Sequence, residues 1–148
     1  MNNTVKVLIV EPSVIIRRGM LSVLQQLNTI HMEVFEITEP EQLRCSLCWR
    51  KPDIVIINPA VAGFLPLSDM KKEVDNPELK CIALQNSLSE PSALKFFDEV
   101  FYVYDSVEQL AEKLNTLMTQ HVFVVTLQSI TLMVKEDIVR VFKGMKYK

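Results

Sequence analysis

An open parallel sheet with helices on both faces is the fold this sequence predicts, and three observations predict it. Short, β-branched, nearly continuous apolar runs recur along the chain, which is how strands buried on both faces read. Amphipathic segments with helix-start signals separate these runs. The order is βα, repeated five times. Such alternation implies parallel strands joined by crossover helices.

Val5 to Val10 (VKVLIV) reads as a central strand. Ser13 to Leu27 follows as an amphipathic helix with apolar residues at Val14, Ile15, Met20, Leu21 and Leu24. Met32 to Ile37 alternates and fits a second strand. Thr38 with Glu41 makes a capping-box pairing, and Pro40 suits a first turn, so a helix is expected from there to about Arg50. Asp53 to Asn58 is the third strand, followed by a proline-containing loop and a weak helix over Leu67 to Val74. Leu79 to Leu84 is the fourth strand, Ser89 to Phe97 a short helix, and Val100 to Tyr104 the fifth strand. Ser106 with Gln109 forms another capping box, opening a helix to about Thr119 with Leu110, Leu114 and Leu117 on one face. Beyond Gln120 the alternation stops. His121 to Leu127 is strand-like or an apolar linker, and Thr131 to Gly144 suits a terminal helix ended by glycine.

Composition narrows the function classes. The chain has 148 residues, 49% of them hydrophobic, which suits one packed domain with a small addition and excludes disorder. The expected division is a domain over 1–120 and a linker with terminal helix over 121–148. No apolar run approaches the roughly 18 residues of a membrane span. The opening segment MNNTVKVLIVEPS lacks a basic stretch and a cleavage site, so it reads as a strand and not a signal peptide. Three cysteines, an odd number, argue against a disulfide framework, so the cytoplasm is the expected compartment. From Leu132 to Lys148 five basic residues face two acidic ones, a net +3, so the first 131 residues carry −5 of the total −2. An acidic body with a basic tail suits either a solvated helix or the start of a nucleic-acid contact.

Other motifs carry little chemistry. Cys45 and Cys48 form a CxxC late in a helix, where no helix dipole lowers a thiol pKa, and no further ligands stand at zinc spacing. They are read as buried structural cysteines. Asp53 carries a carboxylate, but at the opposite end of its strand from Asn58, where a surface or turn role is expected. After the first strand stands EPSV, not a glycine-rich phosphate cradle. That disfavours a nucleotide-dependent enzyme or an FMN binder.

The opening VKVLIVEPSVIIRRGM, the run PDIVIINPAVAG and the order of elements resemble a bacterial response-regulator receiver domain of two-component signalling. The resemblance covers roughly Lys6 to Thr119, and the nearest form is the subfamily with a C-terminal LuxR-type helix-turn-helix. It implies a flavodoxin-like five-stranded sheet of order 2-1-3-4-5, with the site at the carboxyl ends of the first and third strands. It also implies a pocket in which this chain departs from the pattern at most positions. Where the family has an acidic pair for Mg²⁺, this chain has Glu11 and Pro12. Asn58 stands at the acceptor aspartate, Gln85 at the hydroxyl that follows the phosphoryl group, Tyr104 at the lysine and Phe101 at the aromatic switch.

A carboxylate is a charged nucleophile and a metal ligand, whereas a carboxamide is neutral and weakly nucleophilic. Nucleophile, metal charge and oxyanion stabilisation are separate tasks in phosphoryl transfer, and these substitutions remove all three together. The resemblance therefore implies a degenerate pseudo-receiver. Such a module is not an enzyme, takes no metal or cofactor, and acts through protein partners or homodimerisation, in a transcriptional regulator. Tyr104 is expected to fill part of the vacated pocket. The alternatives are a phospho-switch with atypical residues and a small-ligand sensor using that pocket. The tail Glu136 to Lys148 resembles the opening of a LuxR-type DNA-binding domain. It stops short of that module's second helix, so DNA is expected as a partner only through a domain beyond Lys148.

Overall fold

The computed structural model describes residues 4–27, 30–62, 67–86 and 94–119. The predicted segments His121 to Leu127 and Thr131 to Gly144, with the tail Glu136 to Lys148, lie outside the described residues. So does most of the helix expected over Ser89 to Phe97. Five strands, β1 (Val5–Val10), β2 (Met32–Ile37), β3 (Ile54–Ile57), β4 (Lys80–Gln85) and β5 (Glu99–Tyr102), form one sheet. Its order is β2-β1-β3-β4-β5 and every pairing is parallel, which is the flavodoxin-like arrangement. The helices are α1 (Val14–Gln26), α2 (Leu43–Arg50), the short turn α3 (Pro59–Ala62), α4 (Leu67–Val74) and α5 over 107–119.

The apolar runs make the centre of the sheet because they can be buried on both faces. Val7 to Val10, Ile54 to Ile57 and Cys81 to Leu84 are all buried. The edge strands β2 and β5 are only partly covered. One core layer joins Leu8, Val10, Val55 and Ile57 of the sheet to Leu43 and Leu47 of α2 and to Met70 and Val74 of α4.

The helix termini show where local chemistry decides. Ser13 caps α1 by accepting the Ile16 N–H, and Ser106 and Gln109 bond reciprocally at 3.1 and 2.8 Å to open α5. The capping box expected at Thr38 does not form. A 3₁₀ turn over Pro40–Gln42 precedes α2 instead, and the residue before it, Glu39, makes no side-chain cap. Proline at the first position fixes φ and removes an N–H, so the tighter turn starts the helix without a side-chain acceptor. At the end of α4, Asp75 takes a left-handed φ of 56°, with Asn76 N–H bonded to Lys71 O and Asp75 N–H to Lys72 O. That is a Schellman ending with a short polar residue in place of glycine.

The apolar face assigned to α1 is corrected. Met20 and Leu24 are buried, but Val14 and Ile15 are exposed and Arg17 is buried in their place. The buried positions 17, 20 and 24 follow helical spacing, and the long arginine stem fills the first of them.

Candidate functional site

The carboxyl ends of β1, β3 and β4 bring Glu11, Asn58 and Gln85 to one edge of the sheet. Asn58 follows β3 directly, and its N–H bonds to Val10 O at 3.1 Å, beside Glu11. Its side-chain Oδ1 accepts the Ala60 N–H at 3.0 Å. The carboxamide thereby caps the single turn α3, which Pro59 opens. This turn was not predicted; the sequence signal is an Asn-Pro step directly after an apolar run.

Glu11 is buried, with 3% of its surface exposed. Its Oε1 accepts the Ser13 N–H at 3.0 Å, and its carbonyl accepts from Arg17 Nη1 at 2.9 Å. Its Oε2 is buried without a hydrogen-bond partner. Arg17 also lies 3.4 Å from Glu36 Oε1, and the exposed Arg18 stands 3.9 Å from Glu36 Oε2. This arginine–glutamate cluster was not anticipated, because the face drawn for α1 through Val14, Ile15, Met20, Leu21 and Leu24 left Arg17 out. The spacing of Arg17 with Met20 and Leu24 was the available signal.

Pro12 is exposed and contributes no side-chain donor or acceptor. Gln85 closes β4, buried, with its carbonyl accepting the Val103 N–H. Phe101 is buried within β5 and pairs with Leu84 across the sheet.

Tyr104 does not behave as expected. The strand ends at Tyr102, so Tyr104 lies in the turn beyond it, 63% exposed. Its ring stacks on Tyr102, with centroids 5.0 Å apart, and is not enclosed by apolar neighbours. A different group holds this turn. Asp105 Oδ2 accepts the Tyr102 N–H at 3.0 Å and pairs with Lys113 Nζ at 2.8 Å. Lys113 also donates to Val100 O at 2.8 Å and sits over the Tyr102 ring. With aspartate and ring already satisfied on one side, the turn directs Tyr104 outward.

The donor set does not fit a divalent cation such as Mg²⁺. Mg²⁺ requires near-octahedral oxygen ligation anchored by one or two well-placed carboxylates. Here a single carboxylate oxygen, Glu11 Oε2, is uncommitted, and Asn58 Oδ1 is engaged with backbone. Among the described residues no group of three or more His, Cys, Asp or Glu side chains is placed to hold a metal ion.

The cysteine reading is also corrected. Cys45 and Cys48 are exposed, and only Cys81 is buried. Cys48 donates its thiol hydrogen to Glu73 Oε2 at 3.2 Å, which raises its pKa. Burial, with Asp98 nearby, pushes the Cys81 thiol up to about 12. Asp53 is exposed, in keeping with the surface or turn role expected of it, and it accepts the Lys6 N–H at 2.9 Å, tying the start of β1. Among the described residues no helix is long and apolar enough to cross a membrane.

No protein-family model matches this chain, and no curated protein matches it. Solved structures do. NtrX from Brucella abortus, crystallised in complex with ADP, aligns at 15% identity with a TM-score of 0.71, over 86% of this chain and 29% of that one. The signal receiver domain of a DNA-binding response regulator (merR) from Colwellia psychrerythraea 34H aligns at 17% identity with a TM-score of 0.63, over 78% and 98%. The chemotaxis response regulator CheY4 of Vibrio cholerae gives 16%, 0.61, 78% and 99%. At these identities the likeness is one of fold. The chain has the fold of response-regulator receiver domains.

Proposed function

We propose that this chain is a receiver-like signalling module that does not accept a phosphoryl group and acts through protein contacts, within a transcriptional regulator. The observation that carries this reading is Asn58. It stands at the carboxyl end of β3, where the receiver pattern has its acceptor, and its only side-chain oxygen is already bonded to the Ala60 N–H. A neutral amide in that role offers neither the charge nor the lone-pair reactivity that attack on phosphorus requires.

The surrounding residues support the same reading. Pro12 adds no second metal acid. Tyr104 carries no charge to pair with a phosphoryl group, and its ring faces solvent. Phe101 lacks a hydroxyl and is already buried. In a two-state receiver, the phosphoryl group shifts a population through contacts it makes in only one state. With those contacts gone, regulation passes to concentration or to a binding partner.

Light scattering on the gel-filtered protein tests this, with and without beryllofluoride and Mg²⁺. The expected mass is the same in both. A beryllofluoride-dependent change that Asn58→Ala abolishes would restore the phospho-switch as the better reading.

A further inference from the structure

The CxxC of α2 takes no part in the site at the carboxyl ends of the strands, and both of its thiols are exposed. Cys45 and Cys48 stand three residues apart in one helix, so they share a face. Helix rise and radius put their Cα atoms about 5 Å apart, inside the roughly 4.4–6.8 Å range of a disulfide. The third cysteine, Cys81, is buried in β4 and does not compete.

A bridge between them closes only if the helix end gives. Cβ atoms at this spacing are about 5–6 Å apart in a regular helix, whereas a disulfide holds them at about 3.5–4.5 Å. Cys48 sits in the last turn of α2, and Lys51 directly after the helix takes a left-handed φ of 46°. The last turn can therefore tighten while Leu43 and Leu47 keep the helix on the core. Strained or exposed disulfides are the labile ones, so this geometry suits a bridge that is made and broken and not a permanent staple. One bond holds the reduced form. Cys48 donates its thiol hydrogen to Glu73 Oε2 on α4, and Arg44 Nε stands 3.6 Å from the other oxygen of that carboxylate. That bond, above all, raises the Cys48 pKa, and the neighbouring Cys45 adds to the effect. Cys48 is thereby kept protonated, which leaves Cys45 as the thiol that reacts first.

We propose that Cys45 and Cys48 form a reversible dithiol–disulfide pair that exchanges with small disulfides, with Glu73 setting its poise. The Cys45 thiolate attacks one sulfur of a small disulfide RSSR, forming Cys45–S–SR and releasing one RS⁻. Cys48 then attacks the Cys45 sulfur, forming the protein disulfide and releasing the second RS⁻. The two thiol protons leave with these groups, so RSSR is reduced to two RSH as the pair is oxidised. Closing the bridge takes the thiol hydrogen away from Glu73 and so cuts one tie between α2 and α4. Nothing in this exchange depends on whether position 58 takes a phosphoryl group, so the two readings fail separately.

Incubation of the full 148-residue chain with oxidised glutathione, followed by intact mass measurement and tryptic mapping, tests it. The expected product is a single chain lighter by about 2 Da, with the loss on the peptide Cys45–Arg50 (CSLCWR), which carries both cysteines. Dithiothreitol should restore the starting mass. Cys48→Ser should stop at the mixed disulfide on Cys45, heavier by about 305 Da, and Cys81→Ala should bridge as the wild type does. In glutathione redox buffers Glu73→Ala should favour the bridge about 5-fold over the wild type, because the reduced form loses one thiol–carboxylate bond. A wild-type protein that stays reduced, keeps glutathione on Cys45 or links two chains instead would overturn the proposal. So would a Glu73→Ala protein that is harder to oxidise than the wild type.

Discussion

The two ends of β3 carry a similar pair of polar residues put to similar use. At the amino end, Asp53 accepts the Lys6 N–H and holds β1 in register. At the carboxyl end, Asn58 accepts the Ala60 N–H and starts a turn. Either residue type can do either job, because a cap needs an acceptor oxygen and not a charge. The difference matters only for chemistry. The carboxylate lies at the amino end of the strand, away from Glu11 and Gln85, and the amide lies at the carboxyl end beside Glu11, where the receiver pattern has an anion. On the proposed reading, asparagine at this position keeps the cap that holds the turn and withdraws the nucleophile, so the fold keeps its stability without the reaction.

That contrast can be broken or sharpened by substitution. The body of the strand sets the scale: Ile56→Ala, at a fully buried position, should lower unfolding free energy by about 2–5 kcal/mol in urea titrations. Next comes an alkaline effect on the neighbouring strand. Cys81, paired with Val55, has its pKa raised from 9.0 to about 12. The folded state holds that proton more tightly, so its contribution is present below pH 9 and lost as pH rises toward 12. Unfolding free energy should fall across that window less steeply in Cys81→Ala than in wild type. Under native conditions a thiol reagent should label Cys45 and Cys48 but not Cys81.

The two ends themselves give the smaller effects. Asp53→Ala should cost about 1 kcal/mol, since the Lys6 N–H it leaves is reachable by water. Asn58→Asp should change stability by less than about 0.5 kcal/mol, because asparagine and aspartate cap equally well. A loss well above that would mean the amide has a structural role beyond its cap. Asn58→Asp should still take no phosphoryl group, since Pro12, Gln85 and Tyr104 remain.

Most of the sheet could be read in the sequence because its strands are apolar runs whose burial leaves no alternative. β1, β2 and α4 have the predicted bounds, and the Ser106–Gln109 pair opens α5 as expected. Errors arose where one local rule met a stronger one. Pro40 replaced the Thr38 cap with a 3₁₀ turn. Arg17 took a core position that hydropathy had given to Val14 and Ile15. At the site, residue identities were legible, because chemistry is written in side-chain type. Orientation was not. Tyr104 faces solvent because Asp105 and Lys113, at a spacing that carries no motif, hold the turn from the other side.

Incubation of the protein with acetyl phosphate and Mg²⁺, followed by intact mass measurement, reads the central claim directly. The mass is expected to stay unchanged, because Asn58 offers no anionic oxygen and Glu11 stands without a second metal acid. A gain of about 80 Da, mapped to the peptides that carry Glu11 or Asn58, would contradict it.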